Sequence, residues 1–323
     1  MWLEILCGVL IYNVFRRFIF GDVDVPDVDA GSSDPSFAVA DRLEKIYGGK
    51  AYVGLRIPDP ETSSRRHVDV VLVTKREVMV VAVRNFSGFV DVGEGGNWVC
   101  TVDNKHKPEF HPDPVLELTR QIEIVESYMQ LRGLSLPKGN ITAKVILPNP
   151  TCRPAYPITF HPEVISYDKW AELKSEKKTG VSSWIKDAFH GSKSGAQDEV
   201  FQKLHFILST APMWDRLEFK GDRHILGEFI EFKGNSDDLQ ALRLVNRSKV
   251  SRFTVQKASM LGLGRSRLQV LLSPRDYRAD AASAFEWEEL SVKPSTEVLF
   301  QPLNSNKACK FKLSNIISVS LSA

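Results

Sequence analysis

His67-Val68-Asp69-Val70-Val71-Leu72-Val73-Thr74, then Lys75-Arg76-Glu77, then Val78-Met79-Val80-Val81-Ala82-Val83-Arg84 is the stretch on which the fold turns. Two valine-rich runs joined by three charged residues predict a β-hairpin. Branched side chains favour extended backbone, and so short a connection joins only antiparallel neighbours. Few polar residues interrupt either run, so both faces of the sheet are expected to be covered. Asp69 is the exception, a carboxylate inside an apolar strand.

Helical spacing of Phe37, Val39, Ala40, Leu43 and Ile46 predicts a helix before this hairpin. After it, residues 88–99 read as a second hairpin, bent at Gly93 and Gly95-Gly96. Pro112 and Pro114 precede a helix over 115–132, striped by Leu118, Ile122, Val125 and Met129. Residues 141–147 and 164–166 predict strands, and Asp168 is expected to cap a short helix reaching Leu173. The Lys-, Ser- and Gly-rich residues 175–197 read as a mobile insertion before a helix over 199–208. Beyond Trp214 the texture becomes short alternating strands, at 225–232, 242–247, 253–258, 268–272, 298–302 and 311–320. This predicts a small all-β barrel or sandwich domain over 215–323.

The 323 residues carry 43% hydrophobic and 25% charged side chains, ordinary values for packed domains, with a net charge of +2 that decides nothing about partners. Cys7, Cys100, Cys152 and Cys309 form no CxxC or Cys/His cluster. Buried reduced thiols are therefore expected rather than a disulfide framework or a zinc site. Asn140 and Asn246 open glycosylation-type triplets, a pattern too short to weigh. Gly-x-Ser-x-Gly, HExxH and dinucleotide-binding fingerprints are missing, which removes support for those enzyme classes.

Residues 1–20 form an apolar segment that breaks at Asn13 and Arg16-Arg17, shorter than the roughly 20 residues a spanning helix wants. Glu4 and the lack of a small-residue cleavage site argue against a secretory leader. An interfacial anchor fits: Trp2, Leu3, Leu6, Leu10, Phe15 and Phe18 would sit in lipid, with Arg16 and Arg17 at anionic headgroups. The alternative is a helix packed on the rest of the chain or on a partner. The expected location is the cytoplasmic side of a membrane, or the cytoplasm, and not secretion. Residues 21–35, acidic and Gly/Ser-containing, read as a linker.

Over about residues 36–208 these features resemble the nuclease-related domain (NERD) family, a branch of the restriction-endonuclease-like PD-(D/E)xK fold. His67-Val68-Asp69 stands where that family shows Gln-Ile-Asp. Val81-Ala82-Val83-Arg84-Asn85-Phe86-Ser87-Gly88 stands where it shows Ile-Glu-x-Lys-Asn followed by Gly. Trp98 falls at the family's hairpin Trp, and Asp113-Pro114 where Asn-Pro opens the next helix. The resemblance implies a mixed α/β sheet flanked by helices over 36–214. In active relatives it implies a divalent metal held by the Asp and by the Glu of E-x-K, with the Lys positioning water. Residues i and i+2 of a strand share a face, so that spacing directs both groups into one pocket.

Here Ala82 replaces the Glu and Arg84 the Lys. Alanine offers no ligand atom, and arginine keeps its proton. The family's upstream Glu falls at Ser36 and its helical Gln at Glu117, with Gln121 one turn later. The remnant pocket is expected to comprise Ser36, His67, Asp69, Ala82, Arg84 and Glu117, with Arg84 neutralising Asp69 and His67 a hydrogen-bonded structural residue. No metal or cofactor is expected. The expected role is a non-catalytic binding or scaffolding protein. The alternative is a Mg-dependent nuclease on DNA or RNA, using relocated carboxylates at Glu44, Glu77 or Glu117. A third reading is a structural Asp69–Arg84 pair in an unrelated α/β domain.

Basic residues dominate between Arg243 and Arg278: Arg243, Arg247, Lys249, Arg252, Lys257, Arg265, Arg267, Arg275 and Arg278, with Asp276 alone opposing. They suggest a phosphate-tracking stripe for nucleic acid, or for acidic lipid in concert with Arg16-Arg17. Phe253 or Tyr277 would be available for stacking, and residues 262–267 form a Gly/Arg loop. The bland reading is a solvated strand face offset by Glu228, Glu231, Asp237 and Asp238.

Overall fold

A computed structural model of the chain describes residues 33–75, 77–102, 107–137, 139–173, 194–257, 267–275, 288–303 and 305–322. The segment 1–20 with Trp2, Leu6, Leu10, Phe15, Arg16, Arg17 and Phe18 lies outside them, as do Arg265, Asp276, Tyr277 and Arg278. Among the described residues no helix is long and apolar enough to cross a membrane.

Helix α1 (Pro35–Tyr47) begins where the Asp34 carboxylate accepts the Ser36 N–H at 2.9 Å and Pro35 takes the first helical position. The linker expected over 21–35 therefore ends earlier: Pro35 is helical, and Asp34 N–H and Ser33 Oγ bond the His224 backbone. Strands β1 (Lys50–Pro58), β2 (Arg65–Val73) and β3 (Val78–Val83) run as an antiparallel meander. Strands β4 (Gly88–Val92), β5 (Trp98–Thr101) and β6 (Glu109–His111) then form a second meander. Gly88 opens it with φ 76°, and a Cβ there would fall 2.3 Å from the Thr101 carbonyl oxygen, so only glycine fits.

Helix α2 (Pro114–Leu131) starts at Asp113, whose side chain accepts the Val115 N–H. It returns the chain to β7 (Ile141–Ile146), which pairs parallel to β3. Strand β8 (Cys152–Pro154) joins the second sheet, order β6-β5-β4-β8. After a single-turn α3 (Tyr156–Thr159), β9 (Val164–Ile165) completes the first sheet, order β1-β2-β3-β7-β9. In helix α4 (Tyr167–Glu172) the N-cap position falls on Ser166, without a side-chain capping bond, and Asp168 lies inside the first turn. Helix α5 (Ser194–Ser209) begins before the expected end of the insertion, so residues 194–197 belong to it, while 174–193 lie outside the described residues.

Both faces of the first sheet are covered, as its valine-rich runs require. On one face Val71, Val73, Val80 and Ala82 pack with Leu118, Val125 and Met129 of α2 and Leu204 and Leu208 of α5. On the other, Val70, Leu72, Met79, Val81 and Val83 meet Val39, Ala40 and Leu43 of α1. Cys100 and Cys152 are buried free thiols whose pKa burial pushes to about 11.

From Asp215 onward the chain builds an eight-stranded antiparallel curled sheet around its own core, which includes Leu217, Phe253, Phe300 and Val319. Its strands are β10 (Asp215–Phe219), β11 (Arg223–Lys233), β12 (Val250–Lys257), β13 (Leu268–Pro274), β14 (Glu288–Val292), β15 (Glu297–Pro302), β16 (Cys309–Lys312) and β17 (Ile316–Ser320). The strand expected at 242–247 is absent: Leu242 closes helix α6 (Ser236–Leu242), which Asn235 caps through its side chain. The run 311–320 divides into β16 and β17 around a 3-10 turn. Leu226 of β11 sits against β1 at Gly54, where a Cβ would come within 2.7 Å of its methyl.

Candidate functional site

Asp69 projects onto the α2 face of the first sheet. The register that pairs Val70 with Val81, and Val53 with Val70, sets it between Ala82 of β3 and Gly54 of β1, two residues too small to offer a ligand. Its side chain is 8% exposed, and each carboxylate oxygen is engaged. His67 Nε2 lies 2.7 Å from Oδ1. A carboxylate only accepts, so this nitrogen carries the proton. Oδ2 accepts both the Val83 N–H at 2.7 Å and Arg84 Nη1 at 2.8 Å. Arg84 then turns its other nitrogen, Nη2, to Glu117 Oε2 of α2 at 2.9 Å. Gln121, one turn further along α2, donates Nε2 to the His67 carbonyl at 3.1 Å.

The electrostatics follow from this geometry. Burial alone would raise the Asp69 pKa; the His67 hydrogen bond and charge, the Arg84 cation and the Val83 N–H outweigh it, and the carboxyl is held below its usual value. Burial likewise opposes the Arg84 charge, but Asp69 and Glu117 push its pKa above the ordinary arginine value.

A depressed carboxylate pKa stabilises the fold above the unfolded value of about 4 and loses that contribution as pH falls through the folded value. Acid unfolding of the wild type should therefore steepen below about pH 4, and Asp69→Asn should flatten that segment. Asp59, held to about 2, titrates in the same window. The difference between wild type and variant, followed by circular dichroism, isolates Asp69. Equal acid slopes would remove this role.

The structure brings His67, Asp69, Ala82, Arg84 and Glu117 together, with Gln121 and Val83 beside them. Ser36 is not among them. It stands in the first turn of α1, the helix that covers the opposite face of the sheet, and no hydrogen bond or ion pair joins it to the cluster among the described residues. Glu44 and Glu77 also lie elsewhere. Glu44 accepts from Ala51 N–H and Lys50. Glu77 accepts from Thr142, beside the β2–β3 turn. Since Lys50 and Val78 both pair with Val73, that end of the sheet is about 13 Å along β2 from Asp69. Among the described residues no group of three or more His, Cys, Asp or Glu is placed to hold a metal.

Residues 33–148 match the family model of the nuclease-related domain. The matched segment runs from the cap of α1 beyond β7 and contains the whole Asp69 cluster. No curated protein and no solved structure matches the chain. The nuclease-related family implies a divalent metal, and the residues present do not fit one. An octahedral cation needs oxygen ligands with free lone pairs aimed at it. Asp69 directs its oxygens at three N–H donors, Ala82 has none to direct, and the Arg84 guanidinium joins Asp69 to Glu117.

The basic candidates separate into two groups. Arg247 grips Asp215, itself 1% exposed, through two 2.6 Å bonds and also donates to the Phe229 carbonyl. Arg252 bonds Glu218 and Ser318, and Arg275 bonds the carbonyls of Arg247, Val250, Leu321 and Ser322. These arginines knit strands together rather than lining an open stripe. Phe253, offered for stacking, is fully buried. Arg243, Lys249 and Arg267 are exposed, the first two around a shallow hollow that Glu288 also lines. Lys257 ends β12.

Proposed function

We propose that the nuclease-related segment is non-catalytic and that the protein acts by binding or scaffolding. The observation that carries this reading is the Arg84 guanidinium bridging Asp69 and Glu117. A fixed organic cation there neutralises the carboxylates that a metal would need, and with its proton retained it supplies no base. The test is a cleavage assay on single- and double-stranded DNA and on RNA with Mg²⁺ or Mn²⁺. Wild type and Asp69→Ala should be equally inert, whereas Ala82→Glu with Arg84→Lys, which rebuilds E-x-K, should gain activity. Robust wild-type cleavage abolished by Asp69→Ala would refute the proposal.

The same reading places the protein at a membrane surface through residues 1–20, supported by the apolar positions flanking Arg16-Arg17. Full-length protein should pellet with anionic vesicles, and a variant lacking residues 1–20 should stay in the supernatant. Equal partition of both would exclude that anchor.

A further inference from the structure

Beside the Asp69 cluster, four buried polar atoms find no hydrogen-bond partner among the described residues: Arg56 Nε, His67 Nδ1, Gln121 Oε1 and Trp214 Nε1. They belong to one neighbourhood. Arg56 and His67 are cross-strand partners in β1 and β2. The Arg56 guanidinium lies 4.1 Å from the Trp214 ring centre, the His67 and Trp214 rings meet edge-on at 6.3 Å, and Gln121 holds the His67 carbonyl. The seat is fixed by backbone. Arg56 N–H donates to Pro212 O at 2.8 Å, Trp214 N–H donates to Gly54 O at 2.9 Å, and Leu55 bridges to Met213. Arg56 has no ion-pair partner among the described residues, although the neighbouring Arg66 and Arg120 are committed to Asp59 and Glu61.

An orphaned buried polar atom costs about 1–3 kcal/mol, so four in one place call for a common occupant. Its chemistry follows from the donors and acceptors. Arg56 and the Trp214 indole present only N–H donors, and Arg56 adds a positive charge. Gln121 Oε1 accepts, while His67 Nδ1 donates from the charged ring and accepts in the neutral one. The complement is an oxyanion that also carries a hydroxyl.

We propose that Arg56, His67, Gln121 and Trp214 form a binding seat for a phosphate monoanion or phosphomonoester. Its oxygens accept from Arg56 and Trp214, its P–OH donates to Gln121 Oε1, and His67 Nδ1 completes the seat. Trp214 lies beyond the nuclease-related match, so the seat joins that segment to the chain that follows it. The seat does not depend on whether the Asp69 cluster cleaves: nuclease activity in the wild type would refute the earlier reading and leave this one standing.

The test titrates inorganic phosphate into the full-length protein, with sulfate at matched ionic strength as a hydroxyl-free comparison, following tryptophan fluorescence and calorimetry. Wild type should bind phosphate saturably and more tightly than sulfate. Arg56→Gln should weaken binding about tenfold or more, the loss of a charge-assisted contact. Trp214→Phe keeps the ring and removes the N–H, and should weaken it about fivefold. Lys310→Gln, an equal charge change at an exposed residue of β16, should bind as wild type does. Melting curves of each variant establish that it is folded. Tighter binding of a nucleoside 5′-monophosphate assigns an esterified source, and equal affinity assigns the free anion. Absence of saturable binding at millimolar phosphate, or affinities unchanged in both Arg56→Gln and Trp214→Phe, would overturn the proposal and leave ordered water as the occupant.

Discussion

Arg84→Ala is expected to lower stability by about 3–5 kcal/mol, because it strands a buried carboxylate after removing the cation that compensates it. The melting temperature should fall on the order of 10 °C. Asp69 keeps the Val83 N–H and His67 in that variant, but both were already engaged, so neither replaces Arg84. Glu117, 39% exposed at its side chain, turns back to water at little cost. The cost thus comes from Asp69, and removing the carboxylate as well should recover much of it. The double variant Asp69→Leu with Arg84→Met should be less destabilised than the sum of its single changes, since both charges leave the interior together. Additive losses in chemical denaturation would mean that Asp69 and Arg84 are not coupled.

Arg247→Ala should cost about 3 kcal/mol, near the lower end of the same range because water reaches part of the guanidinium. Its partner is the deeply buried Asp215, which also accepts the Phe229 and Ser322 N–H groups at 2.6 Å each. This arrangement clips the start of β10, the middle of β11 and the end of the described chain together. Loss of one partner should loosen all three. Hydrogen exchange at Phe229 and Ser322 amides should accelerate in Arg247→Ala while β2 and β3 keep their protection. Protection unchanged at both amides would show that the clip does not hold these strands. Lys249→Ala, exposed and lacking such bonds, should stay within about 0.5 kcal/mol of wild type.

The contrast between these two clusters explains what the sequence made readable. Asp69 lies in β2 and Arg84 directly follows β3 of the same hairpin, so short-range register brings them together, and a later helix supplies Glu117. The valine-rich runs of β2 and β3 announce a sheet covered on both sides, as observed. Asp215 and Arg247 meet only through the curl of the C-terminal sheet, which no local period encodes, and the arginine therefore read as one of a solvent-facing stripe. Arg56 and Trp214 are hidden from a local reading for the same reason: Gly54 interrupts the pattern of β1, and its partner segment arrives more than a hundred residues later. Ser36 corresponds to a family position by resemblance alone, and α1, in whose first turn it stands, covers the other face of the sheet.

The central claim is that Arg84 holds the place a metal would need. Calorimetric titration of Mn²⁺ into wild type and Asp69→Ala tests it directly. The account predicts matching, unsaturated heats for the two proteins. A saturable site in wild type that vanishes with the Asp69 carboxylate would contradict it.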